Sequence, residues 1–307
     1  MTGSTSSRPF SFAQLDAPWV KPVPLAVAAA AEPEVLHAVV EARQRGLVEP
    51  ILFADPQDLR ECARDEEIDL SGIVVKPTDS PESAARAAVQ AVASGEAAML
   101  MKGLVDTSVI LHAVLDRDYG LRSGSVLSHL AVFEIDGFPR PLGITDAAMN
   151  IAPGLETKRS ILANAVSFFH SLGYKRPQVA VIAAKEKVSD RMPATVDAAT
   201  LAGEAVNGAF GACDVDGPFA LDNAVSREAA CTKGIHSPVA GEADILLLPQ
   251  IESANVLYKA LAFLTPSRNA GVIVGARAPI VLTSRADSHR AKLDSIALAA
   301  RAAASVL

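Results

Sequence analysis

With 307 residues, half of them hydrophobic, the chain has enough apolar surface for a large core and is expected to divide into two domains. A formal net charge of −7, with no run of lysines or arginines, excludes the concentrated basic field that a nucleic acid or an anionic membrane requires, so any anionic ligand must be caught by a few placed groups. Cys62, Cys213 and Cys231 are scattered, without CxxC spacing, and predict neither a disulfide framework nor a zinc site, which points to a reducing cytoplasm.

The first 22 residues are polar and proline-punctuated and read as a flexible arm, with Trp19 docking its end. They hold no continuous apolar core of signal-peptide length, and no later run is long enough to span a bilayer. From Pro24 onward, short apolar runs alternate with helix-length amphipathic segments. "PLAVAAA" predicts a strand. "PEVLHAVVEARQRG" predicts a helix that starts at Pro33, lines up Val35, Leu36, Val39 and Val40 on one face, and stops at Gly46. "PILFAD" is the next strand. The rhythm returns in "GEAAMLMKG", "QVAVIAA", "ADILLLP" and "GVIVGA", each followed by a helical segment, which predicts a parallel sheet wrapped by helices. One region departs from it: "SHLAVFEIDGFPRPLGITDAAMN" has two apolar runs joined at Asp136-Gly137, an antiparallel pair that marks a domain change near Ser128. "LETKRSILANAVSFFHSLGY" then predicts a helix with Ile161, Leu162, Ala165, Val166 and Phe169 on one face and Gly173 as its stop. Near the end, apolar runs at 272–274 and 280–282 lead into Thr283-Ser284-Arg285 and a last amphipathic segment.

In such sheets ligands sit beyond the carboxyl ends of the strands. Three polar clusters fall there: Lys102-Gly103 with Thr107; Asp146, Asn150 and Pro153; and Thr283-Ser284-Arg285. Each has a bland alternative, as a solvated loop lysine, a helix-capping Asp-Asn pair, or an N-cap serine beside a surface arginine. Periodicity alone leads to an α/β protein with a polar cleft between domains.

The combination is more specific than its parts. "KGLVDTSVILHAVLD", "TDAAMNIAPGLETK", "SPVAGEADILLLPQIESANVLYKALAFL" and "GVIVGARAPIVLTSRADS", in this order and spacing, resemble the phosphate acyltransferases, the phosphate acetyltransferase and phosphate butyryltransferase family. "MPATVDAATLA", "DGPFALDNAVS" and "TKGIHSPVAG" look most like the butyryltransferase branch. The resemblance runs from about Pro24 to the C-terminus. It implies a two-domain α/β/α fold with mostly parallel sheets, isocitrate/isopropylmalate dehydrogenase-like, with residues 23–128 and 285–307 in one domain and 129–284 in a second that carries dimerisation. It also implies a homodimer, a site in the cleft between domains, and reversible acyl transfer between CoA and inorganic phosphate in a ternary complex, with CoA as a substrate and without metal or organic cofactor.

The resemblance and the chemistry together assign roles. Running from acyl phosphate, a CoA thiolate attacks the acyl carbon and displaces phosphate through a tetrahedral centre with negative charge on oxygen. The phosphate needs a planar bidentate cation, which makes Arg285 its candidate. The oxyanion needs a fixed neutral donor, which makes Ser284 its candidate. A covalent role for Ser284 is the weaker reading, because no histidine is placed to activate it; His289 falls on the first turn of the next helix. For the base, Asp287, Asp294 or Ser295 are the nearest residues, with Asp294 retained and Asp287 weighed as the helix N-cap. Lys102, Thr107, Ser128, Asp146, Asn150, Asn255 and Lys259 complete the substrate-binding candidates. Gln250, Ala254, Ala286 and His112 depart from the acetyltransferase pattern, and His112 on an apolar helix face reads as a packing residue. Two other classes stand beside this reading. One is a degenerate relative that senses CoA or acyl phosphate without catalysis. The other is a metal- and nicotinamide-dependent hydroxy-acid dehydrogenase, which needs a carboxylate cluster that the sequence does not display.

Overall fold

The first apolar run becomes strand β1 (Val23–Ala28) and Pro33 opens helix α1 (Pro33–Gln44), in a computed structural model that describes residues 8–17, 21–284 and 287–305. Trp19 and Arg285 lie outside the described residues. Val35, Leu36 and Val39 are buried on α1, as a 3.6-residue period requires, and Gly46 at φ 71° takes the left-handed conformation that ends it. The alternation continues with β2 (Val48–Ala54), α2 (Pro56–Asp65), β3 (Val74–Pro77), α3 (Pro81–Ala93), β4 (Met99–Lys102) and α4 (Thr107–Val114). Proline starts α2 and α3 behind a capping oxygen: Asp55 accepts from Gln57 N and Asp58 N, and Ser80 and Ser83 form a reciprocal capping box.

The antiparallel pair expected around Gly137 is β5 (Ser128–Ile135) with β6 (Leu142–Thr145), Gly137 standing at φ 78° in the turn. Helix α5 (Leu155–Ser171) buries the five residues predicted for its apolar face. β7 (Gln178–Ile182), α6 (Pro193–Val206), β8 (Asp214–Phe219), α7 (Leu221–Val225), α8 (Arg227–Thr232), β9 (Ile245–Leu247) and α9 (Ile251–Leu264) follow, then β10 (Ser267–Val274), β11 (Ile280–Val281) and α10 (His289–Ala304).

The described residues group into two units, one of Ser128–Arg268 with the residues up to Gln14, the other of Leu15–Leu127 with the chain from Asn269 onward. Within the first, the strand order is β5-β6-β9-β7-β8, parallel from β6 outward. Within the second it is β3-β2-β1-β4-β11-β10, parallel up to β11. The chain passes from one unit to the other at Ser128 and returns inside β10, at Asn269. The reason is pairing: β11 adds to β4 in register Ile280↔Leu100, so the chain must rejoin that sheet before residue 280. The helix expected after "GVIVGA" is also replaced. β10 turns back antiparallel onto β11 through Ile273↔Ile280, and the connection is too short for the dozen residues that a parallel crossover needs.

Of the 22 residues expected as a flexible arm, 8–17 and 21–22 are described. Phe10 and Phe12 are 1% and 0% exposed, the Arg268 guanidinium lies 5.1 Å from the Phe12 ring centre, and Arg8 Nε stands 2.8 Å from Asp244 Oδ1. Burial pushes the Asp244 carboxyl up to about 6, against the pull of the Gln178 N–H and of Arg8. The folded pKa therefore exceeds the ordinary 3.8, so between about pH 4 and pH 6 the native protein binds a proton that the unfolded chain does not, and this group's contribution to stability falls as pH rises through that window. Relative to Asp244→Asn, the wild type should lose about 3 kcal/mol between pH 3 and pH 7. Denaturant titrations of both proteins across that range check it, and a difference independent of pH would contradict it.

Candidate active site

Because β1, β4 and β11 run parallel, Ala28, Lys102 and the residues after Val281 emerge at one edge of their sheet. The loop after β4 is pressed against the end of β1: Gly103 N donates to Ala28 O at 2.8 Å, and a Cβ at position 103 would lie 2.2 Å from Ala29 O, so only glycine fits. Lys102 folds over this loop, its Nζ donating to Gly103 O at 3.0 Å and Val105 O at 3.1 Å. Thr107 is exposed at the first position of α4, behind Asp106, whose side chain makes no capping bond.

Beyond β11, Ser284 is exposed and doubly tied to Asp287. Ser284 N donates to Asp287 Oδ2 at 2.7 Å, and Asp287 N donates to Ser284 O at 3.1 Å. Asp287 is therefore not the cap of α10. That position belongs to Ser288, whose hydroxyl accepts from Ala291 N. Asp294 is 2% exposed with Arg290 Nε 3.1 Å from its Oδ1, and Ser295 Oγ accepts from Gly271 N and donates to Ala291 O. His289 Nε2 lies 2.5 Å from Glu41 Oε2, and this hydrogen bond is the main cause that lowers the Glu41 pKa. One residue escaped the sequence reading. Lys292 is 1% exposed, and its Nζ donates to Glu34 Oε2 at 2.5 Å and to Asp287 O at 2.7 Å. The available signal was a lysine set among Ala291, Leu293, Ile296 and Ala297, all of them buried.

In the other unit the candidates build a loop. Asp146, 3% exposed behind β6, accepts from four backbone N–H groups, those of His129, Ala148, Met149 and Asn150, at 3.0–3.1 Å, and from Asn150 Nδ2 at 2.5 Å. Asn255 on α9 donates to Ala147 O at 3.0 Å and pins the same loop from the other side. The fully buried Ser128 accepts from Asn164 Nδ2 at 3.0 Å. Lys259 is exposed on α9. Gln250, a departure from the pattern expected there, caps α9 by accepting from Glu252 N and Ser253 N, and Ala254 is fully buried.

His112 is exposed and lines an open hollow of about 550 Å³ with Arg86 and Tyr119, which corrects its reading as a packing residue: α4 turns that side outward while Ile110, Ala113 and Val114 face the core. A smaller hollow of about 110 Å³ at the ends of β1, β2 and β3 is lined by Asp55, Asp58 and Asp79, a charge that repels phosphate. Among the described residues, no three His, Cys, Asp or Glu side chains group to hold a metal ion, and no helix is long and apolar enough to cross a membrane.

Comparison with known proteins bears on this arrangement. Residues 82–300 match the family described as "Phosphate acetyl/butaryl transferase". The phosphate butyryltransferase of Clostridium beijerinckii is 48% identical over 280 residues, covering 91% of this chain and 93% of its own length. The phosphate acetyltransferase of Thermotoga maritima is 46% identical over 278 residues, covering 90% and 94%. Among solved structures, a branched-chain phosphotransacylase from Enterococcus faecalis V583 superposes with a TM-score of 0.82 at 31% identity, over 92% of this chain and 99% of that one. A match to the family over most of the length, with relatives of both branches near half identity, places the chain in the phosphate acetyl/butyryltransferase family of acyltransferases.

Proposed function

We propose that the chain transfers a short acyl group, acetyl or butyryl, reversibly between CoA and inorganic phosphate, directly within a ternary complex and without metal or organic cofactor. The observation that carries this reading is Ser284, exposed three residues beyond the end of β11, inside the matched family segment and immediately before Arg285 in the chain. In the direction of acyl phosphate, a phosphate oxygen attacks the thioester carbon. The carbonyl electrons move to oxygen, where the Ser284 hydroxyl donates a hydrogen bond, and they return as the C–S bond breaks and CoA leaves as thiolate. Arg285 holds the phosphate as a bidentate fork. His289, engaged with Glu41, offers no activation for an attack by Ser284 itself, which favours direct transfer over an acyl-enzyme.

The site acts on soluble anionic substrates, and we place the protein in the cytoplasm as a homodimer. Val256, Phe263 and Leu264 on α9 are 68%, 65% and 81% exposed, a concentration of apolar surface that a second copy would cover. Sedimentation should give a mass of twice 31.9 kDa; a monomer at micromolar concentration would contradict it. Activity is tested by incubating the protein with acetyl-CoA or butyryl-CoA and phosphate, in the presence of a chelator, and following CoA with a thiol reagent. Phosphate-dependent release supports the reading. No release, or release only on adding a divalent ion, overturns it. Specificity constants for acetyl-, propionyl- and butyryl-CoA define the acyl pocket, where one methylene is worth about 1–3 kcal/mol.

A further inference from the structure

A lysine that is 1% exposed needs acceptors for its head group, since removing it from water is costly unless its protons are matched. Lys292 meets two acceptors, and they lie on different parts of the chain. One is the carboxylate of Glu34 in the first turn of α1, itself 58% exposed, with its pKa held below the usual carboxylate range by the hydrogen bond from Lys292. The other is the backbone carbonyl of Asp287 at 2.7 Å. Asp287 in turn accepts the Ser284 N–H on its carboxylate and donates its own N–H to the Ser284 carbonyl. An ionic tether therefore runs from the α1 helix through one buried ammonium to the residue that grips Ser284 at both its backbone groups.

We propose that Lys292 and Asp287 are positioning residues for acyl transfer: Lys292 fixes Asp287, and Asp287 fixes the backbone from which Ser284 presents its hydroxyl. The inference rests on the acyltransferase reading above. In this role both residues act through Ser284 and not on the reacting atoms. Their effect is to keep the serine donor where charge develops in the transition state, and a donor displaced by an ångström loses most of its value. The neighbouring groups give the same helix further anchors, with Arg290 on Asp16 at 2.5 Å and His289 on Glu41. Loss of one anchor therefore leaves α10 in place while releasing the hold on Ser284.

Four variants test this against a merely structural ion pair. Lys292→Met keeps the length and fills the space, and swapping a buried charge for an apolar chain of similar volume is often neutral for stability; it should fold, with kcat lowered about ten- to a hundredfold, the worth of one charge-assisted hydrogen bond, and KM for acyl-CoA and phosphate near wild type. Glu34→Gln removes the charge partner but leaves the bond to Asp287; it should lower the denaturation midpoint and keep kcat within about threefold, since the lost pair is half exposed. Asp287→Ala should behave like Lys292→Met, and Asp287→Asn, still able to accept from Ser284 N, should recover most of the lost rate. A structural pair predicts no such separation, with Glu34→Gln and Lys292→Met falling together in stability and activity. Active wild type with unaltered kcat in folded Lys292→Met, or an Asp287→Asn variant as impaired as Asp287→Ala, would overturn the proposal. Inactive wild type would overturn the acyltransferase reading and this proposal with it.

Discussion

Ser284→Ala lowers kcat about a hundred- to a thousandfold and leaves KM for acyl-CoA and for phosphate close to wild type. The size follows from the role proposed for the hydroxyl. In the ground state the thioester oxygen is a weak acceptor; in the tetrahedral state it bears a full charge, so the hydrogen bond strengthens where the barrier lies and adds little to binding. The end of a strand is a suitable mount for such a donor. β11 is held in register by β4 on one side and β10 on the other, and the Ser284 backbone is held by Asp287. Structural damage from the substitution should be small, because Ser284 is exposed. Steady-state kinetics with circular dichroism of the variant check it. A raised KM with unchanged kcat would mean that the hydroxyl binds substrate uniformly and does not stabilise the oxyanion.

Arg285→Lys should reduce kcat/KM for phosphate about ten- to a hundredfold and barely change the affinity for CoA. Lysine retains the charge and loses the fork, so two parallel charge-assisted bonds become one point contact, at about 1.5–3 kcal/mol per bond. If the fork grips phosphate equally in ground and transition states, the loss falls on KM; if it acts on the developing charge, it falls on kcat. The formal charge of −7 sharpens the expectation, because a chain without a broad basic field has few cations to take over the role. A folded variant with unaltered phosphate dependence would remove Arg285 from the phosphate site.

Much of the fold is legible in the sequence for one physical reason: central strands buried on both faces appear as unbroken apolar runs, as in β1, β4, β7 and β9, and the helices between them carry a one-sided stripe. β3 is invisible to that signal because all four of its residues are exposed or half-exposed, so "VVKP" has no apolar environment to advertise. β10 and β11 mislead it, since an apolar run says nothing about direction; Pro279 and a short connection were the clues to a reversal. The same holds for the site. Lys102 ends β4 and Ser284 follows β11 by three residues, positions that the alternation of strands and helices lets a sequence reading locate. Asp146 reads in the sequence as a substrate-binding candidate or half of a helix-capping pair, and in the fold its oxygens are engaged by five N–H donors of the surrounding loop and of His129. Lys292 is the opposite case: a lysine among buried apolar neighbours is normally a snorkelling surface residue, and only the fold reveals that its head is matched inside.

The central claim is direct transfer to phosphate within a ternary complex that Ser284 and Arg285 assist. Exchange of isotopically labelled CoA into acetyl-CoA tests it most directly, measured on the wild-type protein with and without phosphate. Direct transfer requires that label enter acetyl-CoA only when phosphate is present to carry the acyl group away and return it. Rapid exchange in phosphate-free solution would show an acyl-enzyme and make Ser284 a nucleophile, and absence of exchange with phosphate present would mean that the protein does not transfer acyl groups between these partners.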